Sequence, residues 1–181
     1  MSSDEQLMLE FQRGSGEAFT ELFQRYREPI YGFFRRRLSH AARAEELAQE
    51  TFVAVLRGVT RYEPRALFRT YLYGIALNLL AVERRKSGRE VNDPGAPAEA
   101  ADPPAGADPD AALWLRRAVA QLDPEQREVL LLREYEQLSY AEIADVLRVP
   151  VNTVRSRLFR ARMALKGLLV PQSGTPEARK L

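Results

Sequence analysis

Residues 89–112 hold five prolines, two glycines and six acidic side chains, with Val91 the one large apolar residue among them. Such a stretch carries too little apolar surface to join a core and too much proline to continue a helix. It reads as a flexible, semi-extended acidic linker. The chain is therefore expected to fold as two pieces, residues 1–88 and 113–170, with residues 171–181 as a tail.

Both pieces read as helical. Phe19, Leu22, Phe23, Tyr26, Ile30, Phe33 and Phe34 recur at helical spacing through residues 15–38, with Pro29 inside the run predicting a kink. Leu47, Ala48, Thr51, Phe52, Val55, Leu56 and Val59 form a second stripe, and Phe68, Leu72, Ile75, Leu79 and Val82 a third. After the linker the pattern predicts helices near 111–121, 124–136, 139–147 and 151–169. Asp123-Pro124 reads as an N-cap followed by proline at the first helical position. Ser139 with Glu142 reads as a capping box. No segment alternates apolar and polar residues long enough for a sheet, so the expected fold class is all-α, two small bundles on a tether.

The last two of those helices are the most informative. A short apolar helix, Tyr140 to Leu147, is followed across Arg148-Val149-Pro150 by a segment with five basic residues and no acid between Asn152 and Lys166. This is a helix-turn-helix layout, in which the second helix can lie in a DNA major groove. Val154, Leu158, Ala161, Leu165 and Leu168 make its buried stripe, and Arg155, Ser156, Phe159 and Arg160 fall outside it. Arginine bridges guanine or clamps phosphate, serine bonds either, and phenylalanine packs on a thymine methyl. Asn152, or the turn before it, is placed to cap the helix start near a phosphate, with Thr153 beside it.

Two surfaces stand out in the first piece. Tyr71, Asn78 and Arg85 are spaced by seven along the third helix, and the loop before it carries Arg61, Tyr62 and Arg65. Aromatic rings, an amide and arginines are the parts of a single-strand binding surface with a place for an unstacked base. On spacing alone, half-buried packing for Tyr71 and a surface polar role for Asn78 are the better explanation. Glu46, Gln49 and Glu50 share an exposed face of the second helix, where either water or an external basic partner would serve.

Net charge is only +2, spread as +3 over residues 1–88, −5 over 89–112, +3 over 113–170 and +1 in the tail. There is no cysteine, hence no disulfide and no thiolate metal site, and the single histidine, His40, has no ligand partners. No Gly-rich phosphate loop, metal set or activated nucleophile is visible, so neither enzymatic activity, a cofactor nor a small-molecule substrate is expected. The polar N-terminus is unlike a signal peptide, and no apolar run approaches a membrane span. The expectation is a soluble cytoplasmic protein.

Taken in order, several strings resemble the extracytoplasmic-function (ECF) subfamily of bacterial sigma-70 factors. They are Ala18-Phe19 through Tyr26, Glu45-Glu46-Leu47 through Phe52, Phe68-Arg69-Thr70-Tyr71-Leu72 through Asn78, Gln121 through Val129, Leu138 through Ala144, and Val151 through Arg162. The resemblance implies that residues 1–88 dock on core RNA polymerase through Glu46, Gln49 and Glu50. The same piece would capture a −10 element base with the 61–67 loop, Tyr71 and Asn78. Residues 113–170 would read the −35 element through Arg155, Ser156, Phe159 and Arg160. It also implies that the linker threads the polymerase cleft and that an anti-sigma factor is a partner. The chain departs from the usual pattern at Tyr71, where tryptophan is common, at Val82, where an acid is common, and at Arg148 and Asn152, where glycines are common. A non-glycine in a left-handed turn costs about 1 kcal/mol, so some remodelling of the turn is expected. The alternative at residue level is a stand-alone helix-turn-helix regulator that binds duplex DNA as a dimer.

Overall fold

The structure, a computed structural model, describes residues 2–88 and 109–169. All regular structure among the described residues is helical. In chain order the elements are α1 (Asp4–Gln12), α2 (Gly16–Arg35), α3 (Ala41–Gly58), a 3-10 turn (Val59–Arg61), α4 (Phe68–Ser87), α5 (Pro109–Ala120), α6 (Pro124–Glu134), α7 (Tyr140–Leu147) and α8 (Val151–Leu169).

Helices α1 to α4 form the first bundle. Leu22, Ile30, Phe33 and Phe34 of α2 pack with Leu47, Phe52 and Val55 of α3 and with Phe68, Leu72, Ala76 and Leu80 of α4, all buried. Burying each large apolar side chain contributes roughly 1.5–3 kcal/mol. Helix α2 runs through Pro29, which lies on its exposed side.

The sequence stripes do not anticipate α1. A local signal for it exists: the Ser3 side chain accepts from Gln6 N while Gln6 reaches back to Ser3 N, a complete capping box. Leu7 and Met8 then bury the helix against the bundle.

The third stripe needs correction. The core face of α4 is Phe68, Leu72, Tyr73, Ala76 and Leu80, while Ile75 and Leu79 are half-buried and Val82 is exposed. Helix α4 is in contact with α1, α2, α3 and α7, so it is apolar over a wide arc and its period alone does not single out the central stripe.

The second bundle begins earlier than the linker reading allows. Residues 109–112 already belong to α5, whose first residue is Pro109, where a missing N–H costs nothing. The rest of the expected linker, 89–108, and the tail lie outside the described residues. Asp123 caps α6 by accepting from Glu125 N and Gln126 N, and Ser139 and Glu142 make the capping box of α7. Arg148 ends α7 at φ 55 and ψ 46, so the turn has a left-handed residue that is not glycine. Val154, Leu158 and Ala161 of α8 are buried, whereas Leu165 is half-buried and Leu168 exposed.

The bundles lie against each other, with α4 packed on α7. Their junction is charged. Arg36 Nη2 donates to both carboxylate oxygens of Glu136 at 2.9 and 2.8 Å. Arg37 donates to Glu128 at 2.9 Å and to Glu136 at 3.1 Å. Arg69 donates to Glu142 at 2.7 Å and to the Gln137 carbonyl at 3.0 Å. The side chains of Arg37 and Glu136 are each 1% exposed.

Candidate nucleic-acid interface

The loop between α3 and α4 surrounds an open recess of about 470 Å³ lined by Gly58, Arg61, Tyr62, Glu63, Arg65 and Tyr71. Four residues singled out from sequence therefore meet at one place. Tyr71 and Tyr62 form its aromatic wall, their rings edge to face with centroids 5.2 Å apart. Tyr62 is buried rather than open to a ligand on its face, and Tyr71 is half-buried. Arg61 and Arg65 are exposed at the rim, Arg65 paired with Glu63 at 2.5 Å. Burial pushes the Tyr62 hydroxyl up to about 12 and the Tyr71 hydroxyl above its ordinary range, against the pull of Arg61. Both rings stay neutral, and the half-buried Tyr71 is the one placed to stack.

Position here depends on α1. Gln12 Nε2 donates to the carbonyls of Val59 at 2.9 Å and Tyr62 at 3.1 Å, holding the loop from behind. Glu5 accepts from Phe68 N at 2.8 Å and so caps α4 across the bundle. Neither contact is readable from local pattern. Asn78 and Arg85 are exposed further along α4 and do not line the recess.

A second groove of about 520 Å³ runs between α3 and α4 beside the recess, with Val53, Ala54, Ile75 and Leu79 below and Glu50, Arg57 and Arg61 at its edge. The acidic face of α3 carries its own counter-ion. Arg43 lies 2.6 Å from Glu46 and 3.4 Å from Glu50, so the repulsion expected between them is met within the chain. Gln49, Glu46 and Glu50 remain exposed. Arg43 also makes a two-pronged bond to Glu83 at 2.9 and 2.7 Å, which holds that carboxylate below its ordinary range. Glu83 adjoins Val82, the position the sequence leaves without an acid.

On α8 the outward face is as the sequence assigns it, though Leu168 at the end of the expected buried stripe is exposed. Arg155, Ser156, Phe159 and Arg160 are exposed, Phe159 at 64%. Four arginines lie on this helix, and their partners divide them. Arg157 pairs with Glu125 at 2.5 Å and Arg162 with Glu134 at 2.8 Å. Arg155 and Arg160 have no partner among the described residues, which leaves their forks open for an external acceptor. The helix starts at Val151, with Thr153 N and Val154 N bonded to the Pro150 carbonyl. Asn152 is thus inside the first turn, exposed, and is not the cap. Thr153 is half-buried and its carbonyl accepts from Ser156 Oγ at 3.0 Å.

Residues 22–90 match the family profile described as Sigma-70 region 2, and residues 112–165 the one described as Sigma-70, region 4. The RNA polymerase sigma-H factor of Pseudomonas aeruginosa is 35% identical, over 93% of this chain and 94% of that protein. The ECF RNA polymerase sigma-E factor of Haemophilus influenzae is 30% identical, over 93% of this chain and 96% of its own length. Among solved structures, CnrH in complex with the cytosolic domain of CnrY aligns at TM-score 0.72 and 27% identity, covering 95% of this chain and 100% of that one. The sigma factor RpoE in complex with the anti-sigma factor NepR, from Bartonella quintana, aligns at TM-score 0.71 and 26% identity, covering 85% and 98% respectively.

Proposed function

Because the chain belongs to the sigma-70 family, in its extracytoplasmic-function subfamily, we infer that its separate surfaces are put to use together by one enzyme, core RNA polymerase. The protein is a sigma factor: it binds the core enzyme, directs it to promoters and promotes strand opening for initiation.

The observation that carries the residue-level reading is the division of labour between two clusters, one in each bundle. On α8, Arg155 and Arg160 with Ser156 and Phe159 face outward and engage −35 base edges, with Asn152 and Thr153 near the flanking backbone. In the first bundle the recess takes an unstacked −10 base against Tyr71, while Arg61 and Arg65 hold phosphates. Buried Tyr62 shapes the wall instead of stacking. Asn78 and Arg85 extend the contact along α4. Glu46, Gln49 and Glu50 dock on the polymerase, and Arg43 keeps that face ordered before the partner arrives.

The protein works by positioning the polymerase and performs no chemistry of its own. No described helix is long and apolar enough to cross a membrane, and the place of action is the cytoplasm, where the polymerase is. The chain divides into residues 1–88 for docking and melting and 109–170 for upstream recognition, with residues 89–108 as the linker and 171–181 as the tail. RpoE is held by an anti-sigma factor, and a partner of that class fits the exposed Leu113, Trp114 and Leu115 of α5 and Met163 of α8.

Run-off transcription with core polymerase on a randomised promoter library tests this reading. Transcripts that depend on the protein and share two spaced elements are expected. Tight sequence-specific binding by the isolated dimer, with no stimulation of the polymerase, would favour a stand-alone regulator instead.

A further inference from the structure

We propose that Arg36 and Arg37, with Arg69 beside them, form a DNA-backbone-binding face that the chain's own carboxylates cover until the two bundles part. The proposal rests on the reading of the chain as a promoter-binding factor.

The geometry is that of anion recognition. Arginine forks bind carboxylates and phosphates in the same two-pronged way; Arg69 grips Glu142 so, through Nε and Nη2, while Arg36 reaches both oxygens of Glu136 through Nη2 alone. All three arginines come from the first bundle and all their carboxylates, Glu128, Glu136 and Glu142, from the second. Arg84 of the first bundle adds a longer contact to Glu128 at 3.8 Å. Each bundle by itself therefore carries an unbalanced cluster of one sign.

The carboxylates do not saturate the guanidinium donors. Arg36 Nε and Arg37 Nη2 are buried and make no hydrogen bond, although Nη2 lies 2.8 Å from Glu128. The Arg37 side chain is 1% exposed. A backbone phosphodiester likewise presents two charged acceptor oxygens, and successive phosphates repeat the pair along the strand. A buried ion pair returns little net stability once desolvation is counted, and leaving one partner alone in the interior is costly. Such a junction opens readily when a second anion takes over the arginines. Arg69 lies two residues before Tyr71 on α4, so the uncovered face would be continuous with the recess.

The test uses the full chain without polymerase. The protein has no cysteine, so Ala42→Cys on α3 and Ala164→Cys on α8, both exposed, accept a dye pair that reports the distance between bundles. Saturating random-sequence duplex DNA is expected to lower energy transfer in the otherwise wild-type chain. E128Q/E136Q should bind the duplex severalfold more tightly than wild type and than the charge-matched control E10Q/E17Q. Its slope of log affinity against log salt should steepen by about 1.8, at about 0.9 for each of two phosphates. R36Q/R37Q/E128Q/E136Q should lose that gain. Energy transfer unmoved by DNA would overturn the proposal even if the glutamine variants failed to fold. So would an E128Q/E136Q chain no tighter than its control, or a gain that survives loss of both arginines. A negative result leaves the run-off transcription test untouched, because no polymerase takes part.

Discussion

Gly58 and Tyr71 are fitted to each other: a Cβ at position 58 would lie 2.7 Å from the Tyr71 hydroxyl. Gly58 is the last residue of α3 and has ordinary helical angles, so its role is space rather than backbone freedom. It lets a stiff ring settle against the end of a neighbouring helix and complete the recess wall.

Gly58→Ala should therefore separate fold from melting. The backbone accepts alanine, and any gain in helix propensity is below about 1 kcal/mol. The ring must move, however, and part of a stacking contact of about 1–3 kcal/mol is lost. Open-complex formation, followed by permanganate reactivity of unpaired thymines, should fall about fivefold with little change in melting temperature. Undiminished reactivity would remove Tyr71 from base capture.

Arg160→Ala should weaken use of the upstream promoter element by about 1–3 kcal/mol if the fork reads a guanine. Arg157→Ala, which removes a pair with Glu125, should act mainly on stability. Transcription from promoters altered only in the −35 element measures the difference. Equal effects on promoter choice would refute the division of the α8 arginines.

Arg148→Gly should stabilise the second bundle. Left-handed angles cost an L-residue about 1–2 kcal/mol, while glycine loses about 0.4–1 kcal/mol through the unfolded chain. The net gain is about 0.5 kcal/mol, visible as a higher denaturant midpoint at constant slope. A lowered midpoint would mean that the Arg148 side chain contributes more than its strain costs.

Acid should loosen the junction through Glu142. Burial opposes its charged form, but the Arg69 and Ser139 hydrogen bonds outweigh that and hold the carboxyl at about 2, from 4.5. A lowered folded-state value means stability that is present above the unfolded value and lost as pH falls through the folded one. The difference in unfolding free energy between wild type and Glu142→Gln should be on the order of 2 kcal/mol at neutral pH, allowing for residual solvent contact, and shrink between about pH 4.5 and 2. A difference that does not change over that range would show that the Arg69 contact does not set the acid limb.

Glu50→Lys should leave the fold intact, since the side chain is exposed, and impair holoenzyme assembly. Its removal frees Arg43 only partly, because Glu46 and Glu83 remain. Co-purification with core polymerase is the measurement, and normal assembly would take Glu50 off the docking face.

What was legible from sequence is what local chemistry specifies. Asp123-Pro124 and the Ser139–Glu142 box announce their helices, and the stripe through Val154, Leu158 and Ala161 orients α8. The gathering of Arg61, Tyr62, Arg65 and Tyr71 followed from their nearness along the chain. Helix α1 had a readable cap but too short an apolar pattern to stand out. The stripe on α4 was displaced because helices pack on several of its sides. The junction was invisible, since Arg36 and Arg37 meet glutamates 91 to 100 residues away and ion pairs of that range leave no periodic trace.

Every residue that lines or braces the recess, from Glu5 and Gln12 to Tyr71, precedes the glutamates that cover Arg36, Arg37 and Arg69. A ribosome adds about 5–20 residues each second, so roughly 3–11 s separate the emergence of Ser87 from that of Glu142. During translation the first bundle can complete its core while its arginines are still bare, and the order of synthesis thereby sets the order in which the two charges meet.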